Sequence, residues 1–203
     1  MKKNIAIIWG GYSSEKEVSE RSARGIFSFI DKERYNLFKV RIDKAGWEAE
    51  YENGSYPIDR NDFSFTANGT KTVFDFAYIT IHGTPGEDGV LQGYLDMLDI
   101  PYSCCGVLAS ALTFNKFTCN RFLKSFGFNV AESVMLRSGE SFDAGSIVQQ
   151  LGLPLFVKPN IGIKVIRKSV CVVYEKKALR DVESICIVQH LSVAYLDRTI
   201  ELD

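Results

Sequence analysis

Apolar residues along this chain come in short runs, broken by glycine and polar turns, and the runs alternate between two periods. Residues 4–9, Asn-Ile-Ala-Ile-Ile-Trp, form the kind of Ile-rich run that makes a strand buried on both faces. Gly10 and Gly11 end it. Beyond them Val18, Ser22, Ile26 and Ile30 recur at helical spacing, and Ser14 and Glu17 have the spacing of a capping box. A helix is therefore predicted from Ser14, closed near Asp31. Tyr35–Ile42 reads as a second strand. Strand, glycine turn, helix and strand in that order make a βαβ unit, which predicts a parallel sheet.

From Asp43 to Thr72 the chain turns polar, with Asn53-Gly54 and Asn68-Gly69 marking turns, and short hairpins or loops are expected there. Residues 72–81 form a buried-strand candidate that ends at His82-Gly83 and the turn-rich 84–89 segment. A helix from about Val90 to Leu98, a short strand at Ile100-Pro101-Tyr102 and a helix from about Val107 to Asn115 would complete a first α/β domain, residues 1–115. The second part, 116–203, opens with a helix over 117–126 stopped by Gly127. A helix over 143–151 follows, turning Ile147, Val148 and Leu151 inward, with Gly152 placed to cap it and Pro154 just beyond. A strand is expected at Leu155–Lys158 and one more helix within 174–184, with no internal repeat and no low-complexity segment.

Composition narrows the function classes. The 203 residues are 46% hydrophobic with a formal net charge of -1, enough for a real core in one or two domains. Charged residues, 24% of the total, are spread along the chain, which argues against a nucleic-acid-binding face. The basic start is followed by too short an apolar run, without a small-residue cleavage site, to be a signal peptide. No apolar stretch approaches a membrane span, so a soluble cytoplasmic protein is expected. Five cysteines, Cys104, Cys105, Cys119, Cys171 and Cys186, lack paired CxxC spacing, and His82 and His190 are the only histidines. A zinc site is not expected, and buried, reduced thiols are.

Ligands of open parallel sheets bind beyond the carboxyl ends of the strands. Two glycine-marked strand ends fall at such positions, 10–15 and 82–89, each carrying polar residues. Glu15 can complement a helix dipole, or its carboxylate can pair with the ammonium of an amino-acid ligand. His82 has the same two readings, a histidine bonded to nearby backbone or a member of a site. These residue types leave both alternatives open.

The order of motifs goes further. Residues 82–93, His-Gly-Thr-Pro-Gly-Glu-Asp-Gly-Val-Leu-Gln-Gly, match HGxxGEDGxxQG, and residues 10–19 match GGxSxExxVS. Pro101-Tyr102, Gly106-Val107 and 109–111 continue the series up to Lys116, and Phe156-Val157-Lys158-Pro159 resembles a strand-borne VKP. Together these resemble the D-alanine–D-alanine ligases, a family of ATP-grasp enzymes. The resemblance implies an α/β fold: an N-terminal Rossmann-like (pre-ATP-grasp) domain with a parallel sheet, followed by a partial α+β ATP-grasp small subdomain. It implies Glu15 as the catalytic and substrate-binding carboxylate holding the ammonium of the first D-alanine, with Val18 and His82 shaping the pocket. Lys116 and Lys158 match lysines that contact ATP phosphates; a lysine on a strand is a compact charge on a rigid support. The lone-lysine alternative is an exposed or snorkelling side chain.

The implied reaction is ATP-dependent joining of two D-alanines through an acyl phosphate for peptidoglycan precursor synthesis, hence for cell-wall biogenesis and cell shape, with Mg2+ neutralising phosphate charge. D-alanine and ATP are the implied partners, and a homodimer through the N-terminal region is compatible. The chain departs from the family at Cys104-Cys105, where a small Gly-Ser pair is usual, and after Gly162. There Ile163-Lys164-Val165-Ile166-Arg167-Lys168 stands where a glycine- and serine-rich phosphate loop is expected, and β-branched residues keep backbone amides at a distance. Residues 173–179 and 194–202 partly restore the match. Ligases of this kind continue well beyond Asp203, where the metal ligands would lie, so none is named here. The chain as given is expected to be incomplete and inactive. The alternative is a non-catalytic amino-acid- or nucleotide-binding α/β module.

Overall fold

The structure is a computed structural model that describes residues 2–137 and 139–161, together with the backbone of two further strands at 171–173 and 186–190. The helix expected within 174–184, the phosphate-loop segment after Gly162 and the 194–202 hairpin lie outside the described residues. Two compact units divide the chain, Met1–Ala111 and Leu112–Asp203.

In the first unit, β1 (Lys3–Gly10) is followed by α1 (Lys16–Phe29) and β2 (Tyr35–Ile42). Four short strands follow, β3 (Trp47–Tyr51), β4 (Gly54–Asp59), β5 (Ser64–Ala67) and β6 (Thr70–Val73), and then β7 (Phe76–Ile79). Helices α2 (Val90–Met97) and α3 (Val107–Phe114) complete the set, α3 running across the boundary between the units. All seven strands form one sheet in the order β6-β5-β4-β3-β2-β1-β7. The centre is parallel, β1 pairing β2 with Ile7 opposite Lys39 and pairing β7 with Ile7 opposite Tyr78.

The expectation of a parallel sheet is corrected beyond β2. Of the hairpins or loops expected in the polar 43–72 stretch, hairpins form, β3–β4 and β5–β6, and these antiparallel strands extend the same sheet. The reason is packing. Phe65 stands within 5.5–6.1 Å, centroid to centroid, of Phe38, Tyr51, Tyr56 and Phe74, so alternate aromatic positions carry the core outward along the sheet. The strand expected at 100–102 is reduced to a single parallel bridge between Ala77 and Tyr102, because Pro101 has no N–H to continue a ladder.

β1 is buried on both faces. Ala6 and Ile8 join Val40, Ile42, Phe65, Leu91 and Leu95 under α2, while Ile5, Ile7 and Trp9 pack with Ala23 under α1. Two details of α1 differ from the sequence reading. Its buried residues are Ser19 and Ala23, with Ile26 and Ile30 packed alongside, whereas Val18 is 43% exposed. No capping box forms either: Glu15 is the N-cap and makes no side-chain cap bond.

The second unit holds α4 (Lys116–Ser125), β8 (Ser133–Leu136), α5 (Ala144–Leu151), β9 (Leu155–Pro159), β10 (Cys171–Val173) and β11 (Cys186–His190). Its sheet runs β10-β9-β11-β8 and is antiparallel throughout. Asp143 caps α5 by accepting from the amides of Gly145 and Ser146, both at 3.0 Å, and Gly152 ends it at φ +76°. Ile147, Leu151, Leu155 and Val157 form the core between α5 and the sheet. The expectation of buried thiols fails for Cys104 and Cys105, which are exposed, and Cys119 is half-buried. The two adjacent cysteines lie in the short connection between the Ala77–Tyr102 bridge and α3.

Candidate functional site

The parallel centre of the first sheet brings its two glycine-marked strand ends together. After β1 the chain turns at Gly10 and Gly11; the Gly11 amide donates to the Ile42 carbonyl at 2.7 Å and the Tyr12 amide to the Thr84 carbonyl at 2.8 Å. The second bond ties the 10–15 turn to the 82–89 turn. Ile81, 4% exposed, is wedged between them. A Cβ on Gly11, whose φ is +92°, would come within 2.6 Å of Ile81 Cγ2, and one on Gly86 within 2.5 Å of Ile81 Cβ. Both positions therefore require glycine.

Ser13 binds the two turns a second time. Its hydroxyl donates to the His82 carbonyl at 2.7 Å and accepts from the Glu15 amide at 3.2 Å. Its neighbour Ser14, expected to cap the helix, is exposed. The result places Glu15 and His82 side by side, Glu15 Oε2 lying 3.7 Å from His82 Nδ1 with the side chains 29% and 40% exposed. That separation exceeds a hydrogen bond, so neither group spends its polar capacity on the other. Both remain accessible to a third, charged group.

The 82–89 turn is fixed from within. The Glu87 carboxylate accepts from the Gly83 amide at 2.6 Å, and the Gly83 carbonyl accepts from the amides of Gly86 and Glu87 at 2.8 and 3.0 Å. Underneath, Gln92 is fully buried and its Nε2 donates to the Gly86 carbonyl at 2.6 Å. At the other side of α1, Lys16 pairs with Asp43 at 3.0 Å, and Arg41 bonds Asp43 and Glu48. Burial pushes the Asp43 carboxyl up, but Lys16, the Gly46 and Ala45 amides and Arg41 outweigh it and hold it below its ordinary value. The Lys16 charge is thereby neutralised at Asp43, next to Glu15 in sequence but not competing for its carboxylate.

Of the residues singled out from sequence, Glu15 and His82 are brought together. Val18 lies one turn along α1 and is exposed. Lys116 and Lys158 belong to the second unit. There Asn160 joins the start of α4 to the end of β9: its carbonyl accepts from the Lys116 amide at 3.1 Å and its Oδ1 from the Phe117 amide at 2.9 Å. Lys116 thus opens α4 beside the strand that carries Lys158, whose ammonium stands 4.9 Å from the Phe156 ring centroid. Both lysines are half-buried on firm backbone, an arrangement that fits polyphosphate oxygens. Among the described residues no three His, Cys, Asp or Glu side chains gather into a metal site.

Ser13, Glu87 and Gln92 are the residues that sequence reasoning passed over. A signal existed for Gln92, a polar residue on the apolar stripe between Leu91 and Leu95. For Ser13 the only signal was its place inside the matched motif.

Residues 4–105 match the family described as the D-ala D-ala ligase N-terminus. The D-alanine–D-alanine ligase of Bacteroides fragilis is 60% identical over 163 residues, covering 80% of this chain and 50% of that protein. Among solved structures, D-alanyl-alanine synthetase A from Vibrio cholerae superposes with a TM-score of 0.82 at 25% identity, over 94% of this chain and 59% of that one. The Bacillus anthracis D-alanine–D-alanine ligase complexed with ATP superposes with a TM-score of 0.70 at 26% identity, over 93% and 58%. The chain spans about half the length of the curated relatives it matches.

Proposed function

The chain belongs to the D-alanine–D-alanine ligase family, and on that premise we propose that the Glu15–His82 crevice is the site of the first D-alanine in ATP-dependent dipeptide formation. The observation that carries this reading is the pairing of an accessible carboxylate with an imidazole at the carboxyl ends of parallel strands, 3.7 Å apart and braced by one serine. A fixed carboxylate attracts an α-ammonium, and a charge-assisted bond of that kind contributes about 1.5–3 kcal/mol. His82 closes the pocket beside it, and Val18 borders it one helical turn away.

The second unit is assigned the ATP phosphates. Lys116 and Lys158 supply positive charge from a helix start and a strand, and the superposed Bacillus anthracis protein was crystallised with ATP. Residues 1–115 then act as a Rossmann-like pre-ATP-grasp domain and 116–203 as part of an ATP-grasp small subdomain. In the proposed reaction a D-alanine carboxylate takes the γ-phosphoryl group of ATP, and the amine of a second D-alanine displaces phosphate from the acyl phosphate. Magnesium, when bound, neutralises phosphate charge, and no residue of this chain is assigned to it. The setting is peptidoglycan precursor synthesis in the cytoplasm, with a homodimer formed through the N-terminal unit.

The test has two arms. D-alanine is expected to raise the melting temperature of the protein, as any ligand that binds only the folded state does, and L-alanine to do so less. Glu15→Gln should abolish the response; an equal response in that variant overturns the ammonium contact. Phosphate release from ATP driven by D-alanine tests turnover. Stabilisation by D-alanine with no phosphate release refutes catalysis by this chain and leaves an amino-acid-binding module.

A further inference from the structure

We propose that Cys104 and Cys105 form a vicinal dithiol site that captures trivalent arsenic, and that Gln92 passes its occupancy to the 82–89 turn. Both cysteines are exposed. Cys104 Sγ lies 3.1 Å from Gln92 Nε2, and Cys105 Sγ lies 3.3 Å from Ser110 Oγ. Burial pushes the Cys104 thiol up, the Gln92 bond pulls it back and the neighbouring Cys105 pushes it up again.

Adjacent Cα atoms stand about 3.8 Å apart, below the roughly 4.4–6.8 Å that a relaxed disulfide spans. A direct S–S bond is therefore strained, whereas one large thiophilic atom bridging both sulfurs is not. No third His, Cys, Asp or Glu joins the pair among the described residues, so the site offers two soft donors. An arsenic(III) centre carrying one organic substituent needs two. The reaction is a condensation without redox change: two As–S bonds form, the arsenic–oxygen bond breaks, and the two thiol protons leave in one water molecule.

A second observation links the pair to the crevice. Gln92 is fully buried, its Nε2 is shared between Cys104 Sγ and the Gly86 carbonyl at 2.6 Å, and its Oε1 has no hydrogen-bond partner among the described residues. When Cys104 Sγ is drawn onto arsenic, the amide loses one of its anchors. Gly86 is then the remaining hold, and it belongs to the turn that carries His82.

Phenylarsine oxide titrated into the full chain tests this. One adduct per chain by native mass spectrometry, with the loss of two titratable thiols and release by 2,3-dimercaptopropanol, is expected. Cys104→Ser and Cys105→Ser should each bind about 10²–10⁴-fold more weakly, the size of a lost second tether, while Cys119→Ser binds as wild type. Wild-type affinity in either of the first two variants, with the fold checked by circular dichroism, overturns the site. Amide hydrogen exchange in residues 82–89 should rise on loading the wild type and stay constant in Cys104→Ser; no rise in the loaded wild type overturns the link through Gln92. None of these readouts depends on D-alanine binding.

Discussion

The two halves of the seven-stranded sheet solve different problems. The parallel half, β2-β1-β7, is packed with Ile, Val and Ala on both faces, and its strand ends carry the Glu15–His82 crevice. The antiparallel half, β3 to β6, is packed with aromatic rings, and its Glu48 joins the Asp43 ion network through Arg41 rather than the Glu15–His82 crevice. In the parallel half the geometry of turns matters most, because two backbone segments must meet at Ile81. In the antiparallel half, buried volume matters most.

That contrast breaks most sharply under a large core deletion. Phe65→Ala removes a ring that is 1% exposed and should cost about 3–5 kcal/mol by denaturant unfolding. The folded fraction should keep the D-alanine affinity of the wild type. A loss of affinity would mean that the aromatic half shapes the crevice after all. Gly11→Ala should cost roughly 2–4 kcal/mol, from the left-handed backbone and the clash with Ile81, and should also abolish the D-alanine thermal shift.

Ser13→Ala is expected to cost about 1–2 kcal/mol, since two hydrogen bonds go, and to weaken D-alanine binding more than it lowers stability. Ser13→Thr, which keeps the hydroxyl, should recover most of the affinity in the same titration. The smallest effect is electrostatic. The Asp43 carboxyl is held below its ordinary value in the fold, so its contribution is present above the unfolded pKa of about 3.9 and is lost as pH falls through the lower folded value. Denaturation midpoints measured from pH 7 to pH 3 should fall more steeply for wild type than for Asp43→Asn below about pH 4.

Local regularity made much of this legible. β1 stands in a short Ile-rich run, β2 alternates buried and more exposed positions, and α5 is announced by Asp143 before it and Gly152 after it. The two strand ends were legible because glycine turns mark them, while Glu15 and His82 were singled out as a site only through the motifs around them. The hairpins of the 43–72 stretch were legible from their Asn-Gly turns, but their joining of the main sheet was not, because their polar faces show no continuous apolar run and only a shared ring cluster draws them onto it. The helix start was misread for a related reason: Ser13 and Ser14 are chemically alike, and only the approach of the His82 carbonyl, 69 residues away, decides which hydroxyl is used. Val18 fits the helical period but faces outward, since the buried Ser19 hydroxyl accepts from the Gly10 amide and so fixes the inward face one residue later.

The Ser13 hydroxyl grips the carbonyl of residue 82 and the amide of residue 15, atoms every amino acid at those positions would offer except for the amide of a proline. The imidazole and the carboxylate themselves bear none of the weight of the turn. A codon change at 82 would swap the group that meets the ligand while the anchor beneath it holds. Preference for one small amino acid over another could then drift across generations at this position without first dismantling the scaffold.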